Sequence, residues 1–305
     1  MKIGLLDVDS HNFPNLCLMK ISAYHKNRGD EVEMLNGFMH YDKVYASKVF
    51  DDTYSPDYPY PIYADEVVKG GTGYGMDNVL PDEIEHIYPD YLLYNIKDKA
   101  YGFLTRGCPR GCEFCIVGDK EGLKSRQVAD IGEFYGGGQT DICLLDPNIL
   151  ACNNAEKLLE DLAKTNAFIE FNQGLDARLL TEDRIKIIEK LKIRMLHFAW
   201  DDPNDEIAPK KLEMLSRHER FNKNNTVVYI LTNFNSTEEQ DLERIYKVRE
   251  MGLSPFMMIY DKPHADRRLK RMARWVNNRW VFASCKRWED YFGNDIQNTT
   301  DIMVV

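Results

Sequence analysis

The sequence predicts an α/β fold in which a small Rossmann-like α/β domain precedes a partial (β/α)6 TIM-like barrel. Six strand-like runs in the later chain recur at intervals of 26 to 40 residues, which suits repeated strand–helix units. Helical segments with one apolar face fall between several of these runs. Near the start of the chain, a strand–helix–strand pattern predicts two parallel strands joined by a right-handed crossover.

Composition and charge restrict the class of protein. A length of 305 residues is enough for one large domain or two ordinary ones. The net charge of −10 argues against a protein that coats bulk nucleic acid. No apolar run approaches the ~20 residues of a membrane span, and Met1 leads directly into a strand-like run without a signal peptide. Seven cysteines without a disulfide pattern favour a reducing, cytoplasmic location.

The N-terminal domain is predicted to cover residues 1–96, with residues 50–100 irregular and serving as a linker. Asp9 and Ser10 are expected to cap the first helix, and Gly29 is expected to end it. The predicted elements are a strand, a helix and two further strands: Lys2–Val8, Pro14–Arg28, Glu31–Leu35 and Tyr41–Val49.

The barrel is predicted to cover residues 97–285, followed by a C-terminal tail at 286–305. Residues 153–164 carry one apolar helical face, Thr181 opens another helix, and Thr237 forms a capping box with Gln240 before a helix that Gly252 ends. The predicted strands begin near Tyr101, Asp141, Phe168, Arg194, Thr226 and Phe256.

Three cysteines, Cys108, Cys112 and Cys115, have C-x₃-C-x₂-C spacing in a short loop rich in Gly and Pro. Thiolates are soft ligands that suit iron–sulfur clusters, zinc and copper(I). A four-iron cluster normally takes four thiolates, so three would leave one iron open for another ligand. Zinc is the alternative, but it requires four ligands. The nearest other cysteines and histidine repeat no ligand spacing: Cys143, Cys152 and His86.

With Phe114 directly before the third cysteine, the motif resembles the signature of the radical S-adenosylmethionine (radical SAM) family, in which that position is aromatic. The resemblance covers residues 97–285. It implies a 4Fe–4S cluster on the three cysteines and SAM bound at the open iron. It further implies reductive cleavage of SAM to a 5′-deoxyadenosyl radical that abstracts hydrogen from an unidentified substrate. A reductase, such as a flavodoxin-like protein, would supply the electron.

The resemblance also implies SAM contacts at the carboxyl ends of the barrel strands. Asp146 stands where the family often holds the SAM ammonium, and resembles the acidic variant of the cobalamin-type branch. Arg178 suits the SAM carboxylate or a substrate anion. The alternatives are that residues 146–148, Asp146 to Asn148, cap the next helix and that Asp176 or Arg178 forms a salt bridge to a neighbouring helix. No catalytic side chain is identified, and the remaining candidate contacts are Asn172, Gln173, Asp201 and Asn233.

Two other functions remain open. The N-terminal domain loosely resembles that of the cobalamin-binding branch, which suggests a cobalamin-dependent radical SAM methyltransferase. Residues 9–14, however, place Pro14 where the cobalamin motif D-x-H-x-x-G has glycine. The other alternative is a noncatalytic iron–sulfur or zinc module, which would have a saturated metal and no SAM binding.

The stretch Lys262–Arg287 holds nine Lys or Arg against one acid, Asp266. At helical spacing its apolar residues fall on one face and its cations on the other. This pattern favours an anionic partner, either a nucleotide-type substrate or a nucleic acid, with Trp275 and Trp280 as stacking surfaces. A solvated face and a docking site for an acidic reductase are the alternatives.

Overall fold

A computed structural model describes residues 1–291 and has an α/β fold with parallel sheets. The chain divides into two compact units, residues 1–197 and residues 198–305. The predicted domain boundaries at residues 96 and 285 stay predictions. Of the predicted tail, residues 292–305 lie outside the described residues.

The first sheet of the first unit has four parallel strands in the order β2-β1-β3-β4. A helix, α1 (Leu16–Asn27), follows β1, and its Leu18 and Ile21 pack against Ile3 and Leu5 of that strand. The predicted strand–helix–strand unit is therefore confirmed. The strands are β1 (Lys2–Asp7), β2 (Glu31–Met34), β3 (Tyr41–Ser47) and β4 (Ala64–Gly70).

The cap of α1 differs from the prediction. Asn15 is the N-cap, and its side-chain oxygen accepts from Leu18 N at 3.2 Å. Asp9 is buried and accepts instead from the backbone amides of Val49 and Phe50 at 2.7 and 2.9 Å. The prediction of Asp9 as a helix cap is wrong, because this carboxylate satisfies amides that follow β3.

Residues 50–100 are more ordered than predicted, since β4 and the short helix α2 (Asp82–Glu85) lie within them. The strand β4 pairs with β3 from Tyr41↔Ala64 to Ser47↔Gly70. Its side chains are exposed or half-buried throughout. An edge strand held by backbone hydrogen bonds has no apolar alternation for sequence reasoning to detect.

The second sheet of the first unit follows in the order β10-β9-β8-β5, with β5, β8 and β9 parallel. Two helices lie between these strands in the chain, α4 (Ala155–Lys164) and α5 (Glu182–Ile188). The predicted cap of α5 is confirmed, because Thr181 accepts from Arg184 N at 3.2 Å. The strands are β5 (Lys99–Gly102), β8 (Asp141–Leu144), β9 (Phe168–Leu175) and β10 (Lys192–Ala199).

The second unit contains two parallel strands, β11 (Thr226–Thr232) and β12 (Ser254–Ile259). The predicted capping box is confirmed, since Thr237 and Gln240 exchange side-chain-to-backbone hydrogen bonds at the start of α7. The helices of the second unit are α6 (Ile207–Ser216), α7 (Glu238–Glu250), α8 (Arg267–Asn277) and α9 (Arg279–Ser284). None of the helices within residues 1–291 has the length and apolar character needed to span a membrane.

Candidate metal centre

A two-stranded antiparallel ribbon frames the cysteine loop, defined as residues 107–125. Its strands are β6 (Thr105–Arg106) and β7 (Arg126–Gln127), which pair as Thr105↔Gln127 and Arg106↔Arg126. The loop carries one short helix, α3 (Val117–Glu121). The ribbon fixes both ends of the loop, and the three cysteines follow shortly after β5 in the chain.

Gly107 makes the turn from β6 into the cysteine loop. Its φ is +87°, and a Cβ at this position would lie 2.3 Å from the carbonyl oxygen of Lys124. A side chain is excluded both by the backbone conformation and by this contact. The Cys108 amide, next in the chain, donates to Gly122 O at 3.1 Å. Gly107 therefore lets the two sides of the loop approach each other.

Glu121 holds the beginning of the loop to its end. Its carboxylate accepts from Gly107 N at 2.9 Å and from the Arg106 guanidinium at 2.7 Å. Arg106 also lies over the ring of Phe103, with its Cζ 3.9 Å from the ring centroid. Charge-assisted hydrogen bonds of this kind are among the stronger ones in proteins, so α3 is fixed against β6.

The three motif cysteines are the accessible thiols of this region. Cys108 and Cys112 are partly exposed and Cys115 is exposed, and none forms a disulfide. Cys143, by contrast, is buried in β8, and burial raises the pKa of its thiol to about 12. Cys143 packs in the core with Leu16 and Leu145 and does not belong to the cysteine loop.

Asn148 contacts the motif and was seen by sequence reasoning only as part of a helix cap. Its side-chain amide donates to Cys108 Sγ at 3.4 Å. The residue is only 2% exposed, and its Oδ1 has no hydrogen-bond partner among residues 1–291. Ser125, at the far end of the cysteine loop, donates to the Asn148 carbonyl at 2.9 Å. Asn148 therefore contacts both the beginning and the end of the cysteine loop, although a buried polar atom without a partner is costly.

Asp146 lies at the end of β8 and is buried. Its carboxylate accepts from the Thr105 hydroxyl at 2.7 Å, from Leu104 N at 3.2 Å and from Thr105 N. Burial raises the pKa of this carboxyl to about 6, although these hydrogen bonds oppose the shift. Asp146 thus fixes the strand that enters the cysteine loop, and its predicted contact with the SAM ammonium stays a prediction.

An ion-pair cluster joins the cysteine loop to the end of β9. The buried carboxylate of Asp176 accepts from Arg110, which lies between the first two cysteines, and from Arg178 Nε at 2.8 Å. Burial opposes ionisation of Asp176, but hydrogen bonds from the two arginines bring its pKa below the usual value. Arg178 therefore forms a salt bridge with Asp176, two residues before it, and the predicted salt bridge to a neighbouring helix stays a prediction.

The other predicted SAM contacts lie within or shortly after β-strands. In the first unit, Asn172 is half-buried and Gln173 exposed, both within β9. In the second unit, Asp201 is half-buried after β10, and the exposed Asn233 has a φ of +63° and donates to Tyr260 O at 2.9 Å. Their contacts with SAM stay predictions.

The side chains near the cysteine loop bear on which metal group the three cysteines could hold. Within residues 1–291, no three His, Cys, Asp or Glu side chains converge closely enough to hold a metal ion. Because metal binding is coupled to folding, a cluster would have to bring the three cysteines together as it binds. Three soft thiols on one loop, without a fourth donor nearby, fit a 4Fe–4S cluster with one open iron better than tetrahedral zinc.

No protein-family model matches this chain, and no curated protein matches it significantly. The functional assignment therefore depends on the residues of the cysteine loop and their surroundings.

Proposed function

We propose that this chain is a radical SAM enzyme in which Cys108, Cys112 and Cys115 hold a 4Fe–4S cluster. Its strand–helix repeats would form a partial (β/α)6 barrel. The parallel strands are compatible with such a barrel. The observation that carries the proposal is the C-x₃-C-x₂-C spacing of three accessible thiols on a loop that Gly107 and Glu121 hold in place.

The residues of the chain bind and orient, whereas the cofactors supply the difficult chemistry. When bound, the cluster would pass one electron from an external reductase to SAM, which would yield methionine and a 5′-deoxyadenosyl radical for hydrogen abstraction. Asn148 donates to Cys108 Sγ, and hydrogen bonds to cluster sulfurs tune the reduction potential. Asp146 fixes the strand before the loop, and Asp176 holds Arg110 within it.

The test is anaerobic reconstitution with iron and sulfide, followed by incubation with SAM and dithionite. We expect a Mössbauer and EPR signature of a 4Fe–4S cluster whose spectrum changes on addition of SAM. The nucleoside product should be 5′-deoxyadenosine, released with methionine. Cys112→Ala should abolish both cluster and product. Cys285→Ala is the matched control, because Cys285 is a partly exposed cysteine outside the loop, and it should retain both.

Two outcomes would contradict the proposal. Stoichiometric zinc without iron after anaerobic purification would identify a noncatalytic metal-binding module. S-adenosylhomocysteine as the main nucleoside product, formed only when cobalamin is added, would identify the cobalamin-dependent methyltransferase.

A further inference from the structure

The helices α8 and α9 concentrate positive charge in an acidic protein. Residues 262–287 carry nine Lys or Arg and one acid, in a chain with a net charge of −10. The single acid, Asp266, is the N-cap of α8 and accepts from Leu269 N at 2.7 Å. It therefore serves the start of the helix and neutralises little of the charge further along.

Some of these cations are held within the second unit. Arg268 forms a two-pronged ion pair with Glu238, with both N–O distances at 2.6 Å. Arg287 pairs with its near neighbours Glu289 and Asp290. Arg271 lies over the ring of Trp288, 5.0 Å from the centroid. Three of the nine cations are therefore held by ion pairs or by contact with an aromatic ring.

Four other cations are exposed without a carboxylate in ion-pair distance among residues 1–291: Lys262, Arg274, Arg279 and Lys286. Some exposed cations elsewhere in the second unit do pair with a carboxylate four residues earlier in the chain, as Lys210 does with Glu206 and Arg217 with Glu213. Unpaired like charges on neighbouring helices repel one another, so this arrangement stabilises the fold less than a paired one would.

An exposed tryptophan lies beside one of these cations. Trp280, in α9, is 75% exposed, and the Arg279 guanidinium lies 5.2 Å from the centroid of its ring. Trp275, by contrast, is fully buried, and its indole N–H donates to Cys285 O at 2.8 Å. The prediction of Trp275 as a stacking surface is therefore wrong, because it belongs to the buried face of α8 with Met272 and Val276.

We propose that the α8–α9 surface, defined by Arg274, Arg279, Trp280 and Lys286, binds single-stranded nucleic acid. Unpaired cations suit backbone phosphates, and an exposed indole provides a stacking face for one base. A solvated charged face would explain the cations but not the exposed indole beside them. An acidic protein would pair with the cations and has less use for a stacking ring. The proposal does not depend on the chemistry of the cysteine loop.

The test uses the full chain and fluorescein-labelled single-stranded RNA and DNA of about 15 nucleotides, with binding measured by fluorescence anisotropy. We expect the affinity for RNA, for DNA or for both to decrease as the salt concentration is raised from about 50 to about 200 mM. Comparison of the two strands shows which nucleic acid the surface binds. The double variant Arg274→Glu/Arg279→Glu should weaken binding about tenfold or more and reduce the salt slope by about 1.4, since each single-strand phosphate contact contributes about 0.7.

A charge-matched control separates the surface from the overall charge. Lys210→Glu/Arg217→Glu makes the same change in net charge on α6, and it should alter affinity by less than about threefold. Trp280→Ala should weaken binding about fivefold or more at unchanged salt slope, because one stacked base contributes about 1–3 kcal/mol, whereas Trp280→Tyr should keep most of the affinity. Circular dichroism of each variant shows that it is folded.

Three results would overturn the proposal. The first is that neither RNA nor DNA binds at about 50 mM salt. The second is that charge reversal on α8 and α9 weakens binding no more than the α6 control does. The third is that a flavodoxin-like acidic protein binds in place of nucleic acid and loses affinity on the same charge reversal, which would make this surface a docking site for a reductase.

Discussion

Asp146 is a buried carboxyl whose ionisation should be visible in the stability of the protein. Burial raises its pKa from 3.8 to about 6. As pH rises, the unfolded chain loses this proton first, so the contribution of Asp146 to stability is greatest below about pH 4 and is lost as pH rises through about 6. We expect the free energy of unfolding of the native protein, relative to Asp146→Asn, to fall by up to about 3 kcal/mol between pH 4 and 7.

Denaturant unfolding of both proteins across this pH range measures the difference. A second variant, Thr105→Val, removes the hydroxyl that donates to Asp146 while keeping the side-chain shape. Because that hydrogen bond favours the ionised form, its loss should move the transition to higher pH. A difference between native protein and Asp146→Asn that stays constant from pH 4 to 7 would show that this carboxyl does not titrate there.

At the scale of an element, α7 is anchored by one buried arginine. Arg244 is 2% exposed and donates to four oxygens, at 2.6 to 2.9 Å. Replacement by Met would leave the buried carboxylate of Asp241 without its cation, so we expect a loss of about 3–5 kcal/mol in the free energy of unfolding. The oxygens belong to the carbonyls of Trp200, Asp201 and Leu231 and to the carboxylate of Asp241.

An exposed ion pair on α6 provides the matched control. Arg217 is 74% exposed and lies 3.7 Å from Glu213, so Arg217→Met should cost less than about 1 kcal/mol. Chemical denaturation of the three proteins gives the comparison. If Arg244→Met costs no more than Arg217→Met, the contacts of Arg244 with the strand ends do not stabilise α7.

At the scale of the whole molecule, cluster binding should stabilise the folded chain, because a ligand that binds the folded state more tightly than the unfolded state shifts the equilibrium toward folding. A ligand at about 100 times its dissociation constant adds about 2.7 kcal/mol. For a chain of this size we expect anaerobic loading with iron and sulfide to raise the melting temperature by a few degrees. Removal of the metal by a chelator or by air should reverse the rise.

Scanning fluorimetry under anaerobic conditions measures this effect, and hydrogen exchange locates it. Protection should increase in the cysteine loop, residues 107–125. Cys112→Ala should show neither change, and Cys285→Ala should show both. An equal rise in melting temperature for Cys112→Ala would mean that iron binds elsewhere and that the loop is not its site.

Much of the fold follows from local sequence. The strand–helix–strand start and the strands near Tyr101 and Asp141 depend on apolar runs and periodicity, which short windows contain. The caps at Thr181 and Thr237 depend on hydrogen bonds to residues three positions away. The spacing of the three cysteines is likewise local, and it alone points to the cluster.

Other features depend on contacts between residues far apart in the chain. The edge strand β4 is stabilised by pairing with β3, and Asp9 is engaged by amides about 40 residues later. The donation from Asn148 to Cys108 and the pair of Arg110 with Asp176 join strand ends to the cysteine loop.

The sequence by itself therefore determined the α/β elements and the thiol motif, because each arises from residues within one or two helical turns. Only the tertiary structure decided that Asp146 is buried against Thr105 and that Trp275 is buried while Trp280 is exposed. A side chain's burial and hydrogen-bond partners depend on which elements pack against it. Residue type and spacing do not specify that packing. The contacts around the cysteine loop and the exposure of the Trp280 indole in α9 therefore depend on the folded chain.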